Sequence, residues 1–268
     1  MEGVIKTRII TAIVALPLLI LLILFASQMV FAMLVLLASF IGLLEFYKMS
    51  LPAGRNLERS IAISFGLLFA GQLCWQNPHS AFLVLCIGLL LLSIVYLFRF
   101  QNLDEVVPHL SMTLFGLLYV PFLLAHLSLL RNMEHGREWV FMALVVAMVG
   151  DSAAYFVGSA LGKRKLYPAI SPNKSVEGAI GGLVGSIVGA YIFKIIFLPE
   201  VEGWIILVMA ACLSVLGQIG DLFESMLKRS FKVKDSGTII PGHGGILDRL
   251  DSLLFVFPAT YYFVFFIG

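Results

Sequence analysis

Long apolar runs alternate with short polar stretches along the chain. A helix needs about 20 apolar residues to cross roughly 30 Å of hydrocarbon, so the pattern predicts about nine membrane-spanning helices. The predicted spans are 9–27, 29–44, 60–75, 80–98, 110–130, 139–162, 176–197, 203–228 and 247–267. Only helices and closed barrels satisfy their backbone in lipid, and the short alternating strands of a barrel are not seen. We therefore predict an all-α polytopic membrane protein.

Composition and charge agree with this prediction. Hydrophobic residues make up 60% of the chain and charged residues 13%, whereas a soluble domain carries about 25% charged residues. The formal net charge is only +2, so we expect no nucleic-acid partner. Cys74, Cys86 and Cys212 lie inside apolar runs without the spacing of a metal site, and we interpret them as small core residues.

The basic residues predict the orientation of the chain. With a cytoplasmic N-terminus, the inside segments hold most of them: Lys6, Arg8, Lys48, Arg55, Arg59, Arg99, Lys163, Arg164, Lys165, Lys174, Lys228, Arg229, Lys232, Lys234 and Arg249. The outside segments then hold only Arg131 and Arg137, which is the distribution that the positive-inside rule favours. We predict a multi-pass protein of the inner (cytoplasmic) membrane whose active site faces the cytoplasm. The charges before the first run also fit a signal peptide, but the length of that run favours an uncleaved helix.

Ionisable residues are unevenly distributed over the predicted spans. Residues 1–138 contain almost no charge within an apolar run, and residues 139–268 contain nearly all of it. Such residues are costly in a membrane and therefore indicate function. We predict one integral membrane domain over 1–268, in which 1–138 is a scaffold and 139–268 supplies catalytic spans and cytoplasmic loops.

The sixth predicted span contains an aspartate. Asp151 lies at a depth where a carboxylate requires a metal, a cation or water. Gly158 and Gly162 follow it with a spacing that indicates close helix packing more than phosphate binding. The recurrence of Gly181, Gly185 and Gly189 in the next span likewise predicts a packing seam.

Polar residues cluster between the sixth and seventh spans. Ser171, Asn173 and Lys174 precede a helix start that Ser175 can cap. Free amides at a helix start and a lysine make a plausible anion site. An ordinary helix cap with a solvated lysine fits the same residues equally well.

Carboxylates and cations share one face where the eighth span ends. Asp221, Glu224, Ser225 and Lys228 are spaced at i, i+3, i+4 and i+7, so they fall on one side of a helix. A solvated stripe at the membrane surface is one interpretation. Two carboxylates directly after a mostly apolar run favour a cation site instead.

A glycine-rich loop precedes the last span. Gly242, Gly244 and Gly245 would allow backbone amides to approach a phosphate closely. Asp248 and Asp251 follow at i and i+3, where each could act only as a partner of the helix dipole. Their position after the glycines favours a role in binding.

These groups suit chemistry at phosphorus. Mg²⁺ prefers carboxylate oxygens and shares its coordination shell with substrate phosphates, while Lys and Arg neutralise phosphate charge. Phosphoryl transfer depends on positioning and electrostatics, so no covalent nucleophile is required. We interpret His243 as a binding or orienting group, because phosphate nucleophiles are already ionised at neutral pH.

One stretch resembles the complete signature of the CDP-diacylglycerol synthase (phosphatidate cytidylyltransferase) family. The signature residues in this chain are Ser225, Leu227, Lys228, Arg229, Lys234, Asp235, Gly237, Ile240, Pro241, His243, Gly244, Gly245, Ile246, Asp248, Arg249, Leu250 and Asp251. The segments at Asp151 and at 171–178 resemble further motifs of that family, and Lys6-Thr7-Arg8 does so more weakly.

The resemblance implies an Mg²⁺-dependent nucleotidyltransferase that condenses CTP with phosphatidic acid for phospholipid biosynthesis, as a nine-span homodimer among membrane lipids. It implies that Asp221 and Asp248 hold metal and act in catalysis with Lys228 and Arg229, and that Asp151 and Glu224 assist with the metal. Substrate contacts would come from a larger set: Ser171, Asn173, Lys174, Ser225, Lys234, Asp235, His243, Gly244, Gly245 and Arg249.

Two alternatives belong to other functional classes. A cation-coupled membrane transporter would also place carboxylates within spans, but it predicts paired half-repeats, and we find no such symmetry. Another CTP-dependent lipid kinase would share the substrate chemistry, and the complete signature disfavours it.

Overall fold

Helices form most of the described chain. The computed structural model describes residue 13, residues 16–239, residue 242 and residues 244–267. In chain order the helices are α1 (Leu16–Phe25), α2 (Gln28–Ser50), α3 (Asn56–Cys74), α4 (Pro78–Arg99), α5 (Leu103–Leu117), α6 (Leu123–Arg131), α7 (Gly136–Leu161), α8 (Val176–Phe197), α9 (Gly203–Ser230), α10 (Leu247–Leu250) and α11 (Leu253–Ile267). A π-helix, Leu118–Phe122, joins α5 to α6, and strands β1 (Lys165–Tyr167) and β2 (Ser171–Ser175) lie between α7 and α8.

Among the described residues, seven helical segments are long and apolar enough to cross a membrane. They are α2, α3, α4, the continuous segment Leu103–Arg131, α7, α8 and α9. Two shorter apolar helices, α1 and α11, overlap the first and last predicted spans, and residues 9–12, 14 and 15 lie outside the described part. The prediction of a helical membrane protein is confirmed, and the count of nine stays a prediction.

Two helices extend through charges that the sequence assigns to loops. The predicted second span ends at residue 44, whereas α2 continues to Ser50 and includes Glu45. The predicted third span begins at residue 60, whereas α3 begins at Asn56 and includes Glu58. Both glutamates are buried, at 4% and 1% exposure. A helix can continue through a carboxylate when hydrogen bonds or cations compensate for its burial.

The chain forms two compact units. Unit 1 contains the described residues of Met1–Leu129 and of Asp235–Arg249. Unit 2 contains those of Leu130–Lys234 and of Leu250–Gly268. The glycine-rich loop before the last helix therefore belongs with the N-terminal helices.

Aromatic side chains organise the packing of unit 1, where α2 packs against α3 and α5. The ring of Phe46 lies 5.6 Å from that of Tyr47 and 5.9 Å from that of Phe115. Gly116 gives these rings space, because a Cβ there would lie 2.6 Å from the Phe46 ring. The buried hydroxyl of Tyr47 donates a hydrogen bond to the Thr113 carbonyl at 2.7 Å, so the polar end of this side chain has a partner.

Glycines allow α7 and α8 of unit 2 to pack closely. A Cβ at Gly185 would lie 2.4 Å from the Cβ of Ala153, and one at Gly181 would lie 2.5 Å from that of Val157. Such distances exclude larger side chains, so the predicted packing seam is confirmed. Gly158 also packs at this interface, 3.4 Å from the Gly178 backbone by the same measure.

A small antiparallel hairpin departs from the all-α prediction. β1 pairs with β2, with Lys165 opposite Ser175 and Tyr167 opposite Ser171. The run is too short and polar to show the alternation by which strands are recognised. Ser175 ends β2 and caps α8 as predicted, since its Oγ accepts a hydrogen bond from the Gly178 amide at 3.1 Å.

Candidate active site

A cleft of about 530 Å³ in unit 2 combines polar and apolar side chains. It is lined by residues of α7, the hairpin, the start of α8, and α9. The lining residues are Asp151, Ala154, Tyr155, Gly158, Ser159, Leu166, Ser171, Asn173, Lys174, Ser175, Gly178, Ala179, Gln218 and Asp221. Residues that the sequence predicts for metal or substrate, from three separate segments, thus share one concave surface.

An ion pair joins two of these predicted residues. Lys174 Nζ donates to Asp221 Oδ2, which connects β2 to α9 across 47 positions of sequence. The side chains are 30% and 27% exposed, so both charges remain accessible from the cleft. Of the two interpretations of Lys174, an anion site or a solvated lysine beside a cap, the position in the cleft favours the first.

A third carboxylate lies near Asp221. Gly220 packs against the Asp251 carbonyl, to which a Cβ would approach within 2.7 Å. Asp251 occupies the turn before α11. The turn that carries this carboxylate therefore packs against α9 directly beside Asp221.

The predicted shared face of α9 carries a second ion pair. Lys228 Nζ lies 3.1 Å from Glu224 Oε1, and the two residues are 8% and 1% exposed. This is a buried i, i+4 pair, so the solvated stripe is wrong for these two residues. Ser225 and Arg229 are less buried, and the Arg229 Nη1 donates to the Val233 carbonyl at 3.3 Å.

Asp248 organises the glycine-rich loop in unit 1. Its Oδ2 accepts hydrogen bonds from the Ser236 amide at 2.8 Å, the Ser236 hydroxyl at 3.0 Å and the Gly245 amide at 2.8 Å. The Gly245 amide, which the sequence predicts to approach a phosphate, thus donates to the Asp248 carboxylate. Gly242 and Gly244 have φ values of 76° and 83°, a region that favours glycine because it has no Cβ.

Glu45 also contacts this loop, although no sequence motif indicates a functional role for it. Its Oε1 accepts from the Ile246 amide at 3.0 Å, and its Oε2 accepts from the Leu247 amide and the Ser236 hydroxyl, both at 3.0 Å. A glutamate directly after the end of an apolar run is a detectable signal, but only the folded chain identifies its partners.

The remaining predicted residues are divided between the units. Unit 1 contains Asp235, Gly244, Gly245, Asp248 and Arg249. Lys234 is the last residue of the first segment of unit 2, directly before the loop. Lys234, Asp235 and Arg249 are exposed. The prediction for His243 lies outside the described residues.

Two further residues, Gln218 and Tyr155, line the cleft, although the sequence does not predict a metal or substrate contact for them. Gln218 Nε2 donates to the Ala179 carbonyl at 3.2 Å and lies 3.4 Å from the Ser214 hydroxyl, which orients the amide beside α8. Its signal is an amide in an apolar run, three residues before Asp221 and therefore on the same helix face.

The donor chemistry of the cleft fits Mg²⁺. Among the described residues, no group of three His, Cys, Asp or Glu side chains is arranged as a complete metal site. Mg²⁺ does not require one, because it commonly uses one or two carboxylates together with waters and substrate phosphates. Asp151 and Asp221 supply two such carboxylates on the same cleft.

Comparison with known proteins identifies relatives of this chain. The pattern of the Cytidylyltransferase family matches residues 6–267. A phosphatidate cytidylyltransferase of Bacillus subtilis (strain 168) is 51% identical over 134 residues, which are 50% of this chain and 50% of that protein. One of Staphylococcus saprophyticus is 35% identical over 261 residues, covering 94% of this chain and 96% of that protein. One of Staphylococcus haemolyticus is 34% identical over 257 residues, with the same two shares of 94% and 96%. Because the family pattern extends over nearly the whole chain, the chain belongs to the cytidylyltransferase family and is a nucleotidyltransferase.

Proposed function

We propose that the chain is a phosphatidate cytidylyltransferase, which uses CTP and phosphatidic acid in phospholipid biosynthesis. The observation that carries the proposal is the family match over residues 6–267, joined by relatives of that name that align with 94% of the chain. The cleft supports it, because a lysine and carboxylates lie beside apolar residues such as Leu166 and Ala179. An amphiphilic substrate with a phosphate head group needs both kinds of contact.

In the proposed reaction, a phosphate oxygen of phosphatidic acid attacks the α-phosphorus of CTP. One P–O bond forms there, and the bond from the α-phosphorus to the oxygen that bridges to the β-phosphorus breaks. The products are CDP-diacylglycerol and pyrophosphate. The lipid phosphate is ionised at neutral pH, so no residue has to act as a general base or covalent nucleophile.

The Lys174–Asp221 pair supports an exchange of partners when substrate binds. Each of these two charges compensates the other in the cleft. A substrate phosphate would compete for the lysine and leave the aspartate free to bind a cation. Because Lys174 and Asp221 are only partly buried, the desolvation cost of holding their charges in the cleft before the reaction would be small.

As the family resemblance implies, the proposed Mg²⁺ would be held by Asp221 and Asp248, with Asp151 and Glu224 assisting. The position of Asp151 and Asp221 on one cleft supports the part of these two residues. When bound, Mg²⁺ supplies positive charge to the CTP phosphates as negative charge develops on the leaving group. Lys228 and Arg229 would assist in catalysis. The other proposed substrate contacts are Ser171, Asn173, Lys174, Ser225, Lys234, Asp235, His243, Gly244, Gly245 and Arg249.

The proposal places the enzyme in the inner membrane, with its N-terminus and active site on the cytoplasmic side. The seven apolar helices support a multi-pass protein, and the distribution of basic residues supports the orientation. A homodimer follows from the resemblance to the family.

The decisive experiment uses CTP labelled separately at the α- and γ-phosphorus. Purified protein with phosphatidic acid and Mg²⁺ should transfer the α-label to the lipid phase and leave the γ-label in water-soluble pyrophosphate. Omitting phosphatidic acid, or chelating Mg²⁺ with EDTA, should abolish transfer. A γ-label in the lipid would instead indicate a lipid kinase, and no lipid-soluble label from folded protein would refute the proposal.

A further inference from the structure

Glu45 contacts both ends of the glycine-rich loop, which connects Ser236 to the start of α10. Ser236 lies at the start of this loop, Ile246 is its last residue, and Leu247 is the first residue of α10. The side chain on α2 accepts one hydrogen bond from each of these three residues, all at 3.0 Å. The partners are separated from Glu45 by 191 to 202 positions of sequence, so the contact is tertiary and not local.

The loop is shaped to receive this carboxylate. A Cβ at Gly237 would lie 2.5 Å from Glu45 Oε1, and one at Gly245 would lie 2.4 Å from Glu45 Oε2. Real Cβ atoms do not approach an oxygen so closely, so both positions exclude a side chain while Glu45 keeps its place. Two glycines of the family signature are thereby explained by a residue outside it.

Glu45 and Asp248 share the Ser236 hydroxyl, whose single proton can form one bifurcated hydrogen bond to the two carboxylates. Ser236 Oγ lies 3.0 Å from Glu45 Oε2 and 3.0 Å from Asp248 Oδ2. Glu45 is 4% exposed, Ser236 4% and Asp248 8%, so water does not replace these contacts easily. A displacement of Glu45 would therefore be transmitted to Asp248 through a buried hydrogen-bond network.

We propose that Glu45 is a positioning residue that fixes the glycine-rich loop and thereby orients Asp248 for the reaction. Its carboxylate accepts every hydrogen bond in this contact, and no glutamate-to-substrate contact is involved. The inference rests on the proposed function only for its effect on turnover. Its effect on the loop can be measured in the absence of any substrate.

Glu45→Gln is the sharpest variant because it keeps the size of the side chain. The carboxamide has one acceptor oxygen, and its NH₂ group would face an amide or hydroxyl donor of the loop. We expect kcat to fall about 100-fold, as a small misplacement of a reacting group can cause. The KM for CTP should change by less than about threefold, because a positioning role requires no contact between Glu45 and the nucleotide.

Glu58→Gln is the matched control. Glu58 is a buried carboxylate of the same unit, 1% exposed, and it pairs with Arg55 and Arg99 away from the loop. This variant is expected to lower thermal stability and to leave kcat unchanged. An equal loss of kcat in both variants would assign the effect to general destabilisation and overturn the positioning role.

Hydrogen exchange measured by mass spectrometry tests the loop directly. In Glu45→Gln, amides of residues 244–248 should exchange at least about tenfold faster than in the unaltered chain, with other segments unchanged. Glu58→Gln should leave residues 244–248 protected. Unchanged exchange in Glu45→Gln would overturn the proposal whatever the activity.

Ser236→Ala provides a second variant if Glu45→Gln does not fold. It removes the shared hydroxyl and should lower kcat by a smaller factor, about tenfold, while leaving the carboxylates. In a folded double variant the losses of kcat from Glu45→Gln and Ser236→Ala should not multiply, and multiplicative losses would contradict coupling.

If the unaltered protein forms no CDP-lipid, the proposed function fails, and the exchange experiment still decides whether Glu45 holds the loop.

Discussion

Buried or half-buried carboxylates in this protein have different partners, and the partners suggest different roles. Asp221 pairs with Lys174 in a cleft where both side chains are partly exposed. Glu224 pairs with Lys228 in a far more buried setting. Asp248 accepts three hydrogen bonds within its own loop. A charged pair that remains partly solvated can exchange partners at lower cost than one that is fully desolvated.

Asp221→Asn tests the proposed cation site. The substitution keeps the shape of the side chain but removes the charge that balances Lys174 and would bind Mg²⁺. We expect the rate of CDP-lipid formation to fall about 1000-fold, because electrostatic groups at a reaction centre contribute effects of this order.

The control for this substitution is Asp104→Asn. Asp104 is an exposed acid in the first turn of α5 and should tolerate the change without loss of activity. Thermal denaturation in detergent should show that both variants are folded. Near-normal activity of Asp221→Asn would refute the assignment of Asp221 to the cation.

At the scale of elements, close approach of α7 and α8 brings two parts of the cleft together. The glycines of α8 allow this approach, and the hairpin that precedes α8 carries Lys174 into the cleft. α9 completes the lining with Gln218 and Asp221. Packing and chemistry are therefore linked, because a change in the helix separation would move the cleft residues.

Gly185→Val should destabilise unit 2. The new Cβ would lie 2.4 Å from the Cβ of Ala153, so the helices would have to separate. We expect a loss of about 1–3 kcal/mol in stability, as overpacked cores show, together with lower activity. Thermal melting in detergent measures the first effect.

Val184→Leu, one position earlier on α8, is the comparison, since Val184 is 54% exposed and does not require close packing. It should melt within a degree or two of the unaltered protein, as surface substitutions usually do. Equal melting temperatures for the two variants would show that the glycine seam does not control the stability of unit 2.

At the scale of the whole molecule, the family signature is divided between two compact units. Its residues from Ser225 to Lys234, together with Leu250 and Asp251, belong to unit 2, and its residues from Asp235 to Arg249 belong to unit 1. The cleft with Asp151 and Asp221 also belongs to unit 2. The predicted scaffold therefore contributes more than apolar bulk, because α2 supplies Glu45 to the signature loop. The predicted orientation adds that the charged loops face the cytoplasm.

Single cysteines test this orientation. Gly54→Cys and Glu200→Cys lie at exposed positions, one in a predicted inside segment and one in a predicted outside segment. In intact cells, a membrane-impermeant maleimide should label Glu200→Cys and should reach Gly54→Cys only after permeabilisation.

Cys74 is buried, but Cys86 and Cys212 are exposed, so their interpretation as core residues is wrong. The background for this experiment needs all three cysteines replaced by serine or alanine, so that the label reports the introduced thiol. Retained CDP-lipid formation would show that the background is folded. The reverse labelling pattern would contradict the predicted orientation.

The sequence by itself determined the helical membrane class, the glycine seam, the Ser175 cap and the family. Each of these depends on local spacing or composition, which a linear pattern records directly. The tertiary structure alone decided which polar groups far apart in sequence meet. Lys174 and Asp221 are 47 positions apart, and Glu45 and Leu247 are 202 apart. No period in the chain encodes such pairs, because they follow from helix packing, and a buried glutamate becomes recognisable only when its donors are known.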